Sequence, residues 1–547
     1  MNKKIQAIGI VTALAVSLAG CSKPAVRQSA TTEPATIEET KAYNISLEID
    51  SEKIKLHGKT IYMTKQNVAM LPLEVLQEEL DIAVNKYKDG RVELNKADMT
   101  VNVHIGSDKV KIGDNQFALT EEVVKTDDTI YIPVTLLEYY LRFTQNYNPK
   151  TKVLSLSDVT KGNDLPERYS YVDVGRSPKI QNQGKSDTCW MYAAYTALES
   201  TLLPTESLDI SKKRLLQYNS DFLNLASGFN YEKPLYYFLS WNGPVDQKYD
   251  KSTDYKVAKH LQSAQMFEGK NIKKIKQLVF KYGGVETSCY MDEKIEEHTQ
   301  YYNKKESAYY TDRKFKNNHA LVIVGWDDNY SKTNFAKQPE KDGAFICQNS
   351  WGKKFGDNGI MYISYEDANI GSQNICYTKV EDADNYKDIQ QSDEYGWIET
   401  IGINESNTAF FANVFQPTYN SANLSAVGFY ATEDNTDYEV YFVPTVGSRV
   451  SLSRLGESVA YGTLSGRGYY TIKLDEPIAL KDGKKYAVVV KASNKNTSSL
   501  IACETNPGDG RVKVDLKDGQ GYYSADGQYW QRAENEGFNI CLKAYLN

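Results

Sequence analysis

The spacing of apolar and polar residues divides the chain into stretches of different character. Residues 5–19 are mostly apolar and follow the basic start Met1-Asn2-Lys3-Lys4. This run is shorter than the roughly 20 residues that a membrane-spanning helix needs, so it predicts a targeting signal. Residues 22–42 are rich in Ser, Thr, Ala, Pro and Glu and have no apolar period, which predicts a flexible linker.

The apolar run ends in Leu18-Ala19-Gly20-Cys21. Small residues before a cysteine at this position resemble the bacterial lipobox. The resemblance implies a lipoprotein signal peptide over residues 1–21 and lipid attached to Cys21. We therefore expect an exported chain, anchored as a lipoprotein on the outer face of the cytoplasmic membrane of a Gram-positive bacterium, with wall association also open. A plain signal peptide with a chance cysteine, or a short membrane anchor, is the alternative.

Residues 43–159 contain two similar segments at an offset of 61 residues, 71–80 and 132–141. Each has a proline at the start of a helical apolar pattern, where the missing N–H costs nothing. Alternating apolar residues between them predict strands. The stretch resembles the copper amine oxidase N-terminal-like domain, which implies a β-rich module for surface attachment or spacing. His57 and His104 are isolated, so no copper is expected, and a propeptide role is the alternative.

A single cysteine follows a glycine-containing turn over residues 183–188. Behind Cys189, residues 191–200 have the pattern of a helix. A thiol at a helix N-terminus meets the positive end of the helix dipole, which favours the thiolate, the nucleophilic form. Taken alone, however, a lone cysteine is more often a buried structural residue.

Two further blocks supply partners for this cysteine. Asn318-His319 opens an apolar run that is typical of a buried strand, and Asn349-Ser350-Trp351-Gly352 precedes a second run of this kind. Together with Gln183-Gly184 and Cys189-Trp190, these motifs resemble those of the papain-like cysteine peptidases, in the family order Cys, His, Asn. The resemblance covers residues 160–385.

The resemblance implies a role for each of these residues. Cys189 is the expected nucleophile, and His319 is the general base and then the general acid. Asn349 is expected to orient the histidine as the third group of a triad. Gln183 is expected to donate a side-chain N–H to the oxyanion hole, together with the backbone N–H of Cys189. Trp351 is expected to shield the bond between His319 and Asn349 from water.

The sequence departs from the family pattern near the nucleophile. Ser186 stands where many members have a disulfide cysteine, and Asp187 replaces a usual glycine. The loop is therefore expected to owe its rigidity to packing, with Trp190 as the nearest candidate. The family's glycine pair beside the substrate cleft aligns with Gly228-Phe229-Asn230, where the phenylalanine replaces bare backbone. Cys347, just before the asparagine block, is expected to be buried.

Residues 396–547 show short alternating apolar runs separated by turns such as Asp482-Gly483. No helical period is evident, so a β-sandwich is expected. The stretch resembles the lectin-like domain that follows papain-like domains in clostridial surface proteases, down to the closing residues 540–544. Exposed tyrosines or Trp530 could bind sugars, and packing of these rings in the core is equally open.

Composition narrows the functional classes further. A chain of 547 residues needs more than one core, so two to four domains are expected. The net charge is −7 and no long basic block is present, which argues against nucleic-acid binding. The seven cysteines are widely spaced and form no CxxC pattern, so we expect no metal and no organic cofactor. The number of disulfides stays open.

The expected fold class is α+β. A papain-like two-lobed peptidase domain over 160–385 is flanked by an N-terminal β-rich α+β module over 43–159 and a C-terminal β-sandwich over 396–547. The expected function is hydrolysis of peptide bonds in extracellular or cell-surface proteins by a surface-anchored cysteine endopeptidase. The expected partners are a protein or peptide substrate and the membrane, with cell-wall polymers or glycans open.

Two other functions fit parts of the sequence. One is a catalytically silent adhesin that uses its β domains for binding, and the other is a hydrolase of peptidoglycan stem peptides. The intact Cys, His, Asn and Gln argue against the adhesin. The Asn-Ser-Trp-Gly block argues against the wall hydrolase.

Overall fold

A computed structural model describes residues 45–547 apart from residues 51, 97–98, 114, 159–164, 223–231, 293, 296, 298–299, 404–405, 507–513 and 518–519. Cys21, the signal stretch, the linker and the Gly228-Phe229-Asn230 segment lie outside the described residues. Among the helices that are described, none combines the length and the apolar character needed to cross a membrane.

The N-terminal module is built mainly of strands. Its elements are β1 (Ser46–Ile49), β2 (Glu52–Ile54), β3 (Tyr62–Met63), β4 (Ala69–Pro72), α1 (Leu73–Glu79), β5 (Ala83–Lys86), β6 (Arg91–Lys96), β7 (Met99–His104), β8 (Ser107–Ile112), β9 (Asn115–Thr126), β10 (Thr129–Pro133), α2 (Val134–Tyr140), β11 (Phe143–Asn148) and β12 (Val153–Asp158).

The internal repeat of the sequence is visible in this module. The helices α1 and α2 each follow a strand that ends in a proline, and Pro72 and Pro133 are their N-caps. The two strands β4 and β10 pair antiparallel, with Leu71 opposite Ile132. The helices predicted from the repeat are confirmed, and its two halves meet across one sheet.

The central domain combines helices with a mostly antiparallel sheet. Its elements are β13 (Arg168–Ser170), α3 (Cys189–Leu202), α4 (Lys212–Phe222), α5 (Lys233–Leu239), β14 (Lys259–Glu268), α6 (Ile272–Lys281), β15 (Val285–Cys289), β16 (Tyr302–Asn303), β17 (Ala308–Tyr309), β18 (His319–Asp327), β19 (Ala344–Gln348), β20 (Ile360–Ser364) and β21 (Gln373–Asp382).

These elements form the two lobes that the sequence predicts. The strands run in the order β17-β20-β19-β18-β15-β21-β14, and α3 packs against β18 near the middle of the sheet. The strand β18 is buried from His319 to Trp326, which explains its long apolar run. The fully buried Ala197 and Leu198 of α3 join the same core as Val322 and Val324. The core therefore lies between the helix that carries the cysteine and the strand that carries the histidine.

The C-terminal domain contains strands and short 3-10 turns. Its strands are β22 (Asp388–Gln390), β23 (Glu399–Gly402), β24 (Thr408–Phe415), β25 (Asn423–Ala431), β26 (Thr436–Val443), β27 (Ser458–Leu464), β28 (Gly468–Ala479), β29 (Tyr486–Ser493), β30 (Ser499–Thr505), β31 (Gly521–Ser524), β32 (Gln531–Arg532), β33 (Phe538–Ile540) and β34 (Leu542–Leu546).

This domain is a β-sandwich, as the sequence predicts. One layer has the strand order β28-β25-β34-β22, and the other has the order β27-β26-β29-β24-β31-β32. Buried apolar residues from both layers, such as Val427, Phe429, Val488 and Leu542, form one core.

The sheets of the central and C-terminal domains are continuous. Strand β14 pairs with β28 at three positions, and Gln265 lies opposite Gly468. A Cβ at Gly468 would lie 2.0 Å from the backbone oxygen of Ala264, so this close approach requires glycine. Next to the junction, the ring of Trp241 packs against that of Tyr545 in the C-terminal domain, with centroids 5.6 Å apart. Backbone hydrogen bonds and packed rings therefore join the two domains.

The N-terminal module contacts the central domain at the far end of α3. A Cβ at Gly113, in the turn after β8, would lie 2.2 Å from the backbone oxygen of Thr205, which follows that helix. A Cβ at Gly175 would lie 2.8 Å from the ring of Phe117. Because α3 has 14 residues with a rise of about 1.5 Å each, its C-terminal end lies roughly 20 Å from Cys189.

Candidate active site

Cys189 is the first residue of α3, and 5% of its surface is exposed. Thr188 is the N-cap but makes no side-chain capping bond. The first N–H groups of a helix have no partner within the helix, so the positive end of α3 is directed at the region of the thiol. The structure therefore gives this cysteine the position at a helix start that the sequence predicts.

His319 and Asn349 meet where two neighbouring strands end. His319 begins β18 and Asn349 follows β19, and these strands pair antiparallel with Val322 opposite Gln348. The Nε2 atom of His319 lies 2.9 Å from Oδ1 of Asn349. The side-chain amide nitrogen of Asn349 contacts Sδ of Met361 at 3.7 Å, so its oxygen is the atom directed at the histidine.

Trp351 covers this pair. Its ring centroid lies 4.8 Å from that of His319, and its other neighbour is Phe355, at 4.7 Å in an edge-to-face arrangement. Both His319 and Asn349 are buried, at 4% and 2% exposure. The bond between them lies beneath aromatic rings, where water competes little for it.

Cys189 lies near the start of β18 because α3 packs against this strand. The backbone N–H of Ala320, the residue after His319, lies close enough to the sulfur of Cys189 to lower the pKa of the thiol. Asn349 faces Nε2 of the imidazole. The ring nitrogen that can serve the thiol is therefore Nδ1.

Burial acts on both groups of this pair. It raises the pKa of the Cys189 thiol to about 11 and lowers the pKa of the His319 imidazole to about 4. Asp187 raises the pKa of the thiol further, whereas the amides of Ala320 and Trp190 lower it. The amides at the helix start thus favour the thiolate, as the sequence predicts, but burial outweighs them. Passing the proton to His319 creates adjacent opposite charges, so the two groups titrate together.

Gln183 connects the nucleophile loop to the asparagine loop. Its backbone N–H donates to the carbonyl of Ser350 at 2.8 Å, and its Oε1 accepts from the Ser350 hydroxyl at 2.6 Å. Its Nε2 donates to the carbonyl of Ser186 at 2.6 Å. A primary amide has two N–H groups, so Nε2 can serve this bond and a substrate oxygen together.

The nucleophile loop is held by hydrogen bonds as well as by packing. Oγ of Ser186 donates to the carbonyl of Gln183 at 2.7 Å and lies 2.6 Å from Oγ1 of Thr188. Trp190 is buried in the domain core, as predicted. Packing of Trp190 is therefore only part of what fixes the loop, because the Ser186 hydroxyl also spans the turn.

The other cysteines in the described part of the chain are buried. All six cysteines in the described part of the chain are free. Cys347 is fully buried on β19, and burial raises its pKa well above the ordinary range. Cys289 is buried opposite His319 on β15, with its sulfur 3.7 Å from the His319 carbonyl oxygen. No cluster of His, Cys, Asp and Glu that could hold a metal occurs among the residues described.

Three family models match the chain. They are the copper amine oxidase N-terminal domain over residues 48–156, the papain family cysteine protease over residues 165–380, and the lectin like domain over residues 389–546. Among curated proteins, a viral cathepsin of Heliothis zea nuclear polyhedrosis virus is 23% identical over 263 residues, 45% of this chain. Oryzain beta chain of Oryza sativa is 23% identical over 211 residues, 36% of this chain. These matches span 65% and 42% of the relatives' own lengths.

Solved structures match over a larger share of the chain. The cysteine protease and lectin-like domains of Cwp84, a surface layer associated protein of Clostridium difficile, are 27% identical with a TM-score of 0.62. The match covers 70% of this chain and 89% of that one. A second Cwp84 structure, after propeptide cleavage, matches at 27% identity with a TM-score of 0.61, over 70% of this chain and 99% of its own. The chain therefore contains a papain-family cysteine protease domain, placed between a copper amine oxidase N-terminal domain and a lectin-like domain.

Proposed function

We propose that this chain is a surface-anchored cysteine endopeptidase that hydrolyses peptide bonds of proteins at or outside the cell surface. The observation that carries the proposal is the bond of 2.9 Å between His319 and Asn349 beside the helix start that holds Cys189. A nucleophile, a base and a group that orients the base are the parts that acyl transfer requires.

The geometry supports a two-step reaction. The sulfur of Cys189 attacks the peptide carbonyl carbon while its proton passes to Nδ1 of His319. The imidazolium then protonates the leaving amine, and a thioester remains on Cys189. A water molecule next loses a proton to His319 and attacks the thioester. The acid product leaves, and the proton returns to the sulfur.

Two donors are proposed to stabilise the oxyanion of each step. They are the backbone N–H of Cys189 and the second N–H of the Gln183 amide. Losing one such donor typically costs about 10²–10³ in rate. Asn349 would hold the imidazole in the tautomer with the proton on Nε2, so that Nδ1 can accept the thiol proton.

Hydrolysis of casein tests the proposal. The chain from residue 22 onward should cleave casein with a reductant present, and an epoxide inhibitor of papain-like enzymes should stop cleavage and label Cys189. Cys189→Ala should lose both cleavage and labelling, whereas Cys347→Ala, a change at another buried thiol, should keep both.

The same assay separates the other functions. A wild-type chain that neither cleaves nor is labelled would fit the silent adhesin. Cleavage of wall fragments without cleavage of casein would favour the hydrolase of stem peptides. Either result would overturn the endopeptidase proposal.

The surface location is proposed with a lipid on Cys21 as the anchor. The lipobox-like sequence supports it, and the matched Cwp84 domains come from a surface layer associated protein. Cys21→Ala should release the chain from the membrane fraction into the medium. A lipid-modified N-terminal peptide in the mass spectrum of the wild type would confirm the anchor, and an unmodified one would refute it.

For the N-terminal module we propose a spacer or attachment role. A propeptide of this kind of enzyme has to occupy the cleft, yet the module's contact at Gly113 and Thr205 lies at the end of α3 remote from Cys189. A site for a specific protease placed within residues 159–164 tests this. Casein hydrolysis should be the same before and after the cut, and activity that appears only after the cut would make the module a propeptide.

A further inference from the structure

The lectin-like domain has a polar patch on the outer face of its six-stranded sheet. Residues that pair directly across strands point to the same face of a sheet. The patch, called here the Tyr461 patch, has two such rows, Thr463-Asp437-Ser493 and Tyr461-Glu439-Lys491, on β27, β26 and β29. Val440, Leu464 and Val490 alternate with these residues and lie in the sandwich core. The patch therefore faces solvent.

An aromatic ring stands at one end of the patch. Tyr461 is 77% exposed, and of the large hydrophobic side chains that the structure describes only Tyr529, at 83%, is more exposed. A single exposed ring is ordinary. Here, however, the ring borders an open, shallow concavity that the patch lines, so ring and polar groups can contact one ligand together.

The polar groups beside the ring are already fixed in place. Glu439 accepts a hydrogen bond from Nζ of Lys491 at 2.6 Å and another from the Tyr441 hydroxyl. These bonds lower the pKa of Glu439, so its carboxylate is ionised at neutral pH. Asp437 accepts from the Thr463 hydroxyl at 2.5 Å. Each carboxylate has about four lone-pair sites, so both can accept further bonds from a ligand.

We propose that the Tyr461 patch binds a neutral glycan. The C–H face of a sugar ring would lie against Tyr461, and its hydroxyl groups would donate to Asp437 and Glu439. Two carboxylates against the single ammonium of Lys491 make the patch net negative, so it would repel a phosphate-rich polymer. The patch lies in the lectin-like domain, and its binding does not depend on the proposed cleavage by Cys189.

Calorimetric titration tests the proposal on the chain from residue 22 onward with Cys189→Ala. The probes are hexasaccharides of N-acetylglucosamine, glucose and mannose, with inorganic polyphosphate as the anionic probe. We expect at least one neutral hexasaccharide to bind. Tyr461→Ala should weaken that binding by at least about tenfold, whereas Tyr461→Phe, which keeps the ring, should stay within about threefold.

Tyr529→Ala is the matched control, because it removes an equally exposed ring outside the patch, and it should bind as the parent does. A second chain, which carries Tyr461→Ala and keeps the wild-type Cys189, should hydrolyse casein normally, and this activity shows that the fold is intact. The proposal fails if Tyr461→Ala binds the sugar undiminished. It also fails if no neutral probe binds at millimolar concentration, or if polyphosphate alone binds.

Discussion

The hydroxyl of Ser350 donates a hydrogen bond to Oε1 of Gln183 at 2.6 Å. This bond fixes the amide so that its nitrogen faces the nucleophile loop. We predict that Ser350→Ala lowers kcat for casein peptides by about tenfold, the value of one hydrogen bond of about 1.4 kcal/mol, with little change in KM. Steady-state kinetics measures this, and Ser331→Ala, a change in an exposed turn, is the control. An unchanged kcat would contradict the prediction.

The Ser186 hydroxyl spans the turn before the nucleophile. Ser186→Ala removes its bonds to Gln183 and Thr188, so the turn should loosen and kcat/KM should fall by roughly tenfold. The melting temperature should hardly change, because Ser186 is exposed. Lys185→Ala, in the same exposed turn, should behave as wild type. If the melting temperature fell together with kcat/KM, the loss of activity would come from a general destabilisation of the fold instead.

Asp187 opposes the thiolate of Cys189. Its charge raises the pKa of the thiol, so Asp187→Asn should lower that pKa and speed alkylation by iodoacetamide at pH 7. An exposed charge of this kind changes the free energy of the thiolate by about 0.2–1 kcal/mol, which corresponds to a gain in alkylation rate of roughly 1.4-fold to fivefold at low salt. Added salt should reduce the gain, and Asp187→Glu should show none. Slower alkylation of Asp187→Asn would contradict the prediction that Asp187 raises the pKa of the thiol.

His319 should decide the pH dependence of Cys189 reactivity. In His319→Ala no imidazolium can pair with the thiolate, and burial is the largest influence on the thiol, whose pKa is raised to about 11. Its alkylation should therefore rise by about tenfold for each pH unit between about 7 and 10, because the thiolate fraction does so below the pKa. With His319 present, alkylation at pH 7 should be at least about tenfold faster. His104→Ala should match the wild type, and identical profiles for wild type and His319→Ala would refute the coupling.

Local patterns predict the elements of the site well. The apolar run from residue 319 onward becomes the buried strand β18, and the pattern after Cys189 becomes α3. Pro72 and Pro133 correctly predict the start of the two module helices. These signals are local, since each depends on residues within a few positions of one another.

Contacts between distant parts of the chain could not be predicted in this way. The pairing of β14 with β28 joins residues about 200 positions apart, and no local period records such a partner. The hydrogen bond from Ser350 to Gln183 also joins distant parts of the chain. The position of Ser350 within the Asn-Ser-Trp-Gly block indicates that it lies near the site, but not which residue it contacts. The effect of burial on the pKa of Cys189 could not be predicted either, because burial depends on the whole core, whereas the position at a helix start can be read from the sequence.

The pairing of β14 with β28 also bears on which proteins can be cut. Since β14 and β28 pair within one sheet, the described part of the chain connects the lectin-like domain directly to the domain that carries Cys189. If such a domain binds a polymer, the distance between that polymer and Cys189 is fixed, and only peptide bonds at this distance from the polymer can reach the cysteine. Substrate selectivity would then depend on the position of a substrate's exposed loops as well as on the side chains beside the scissile bond.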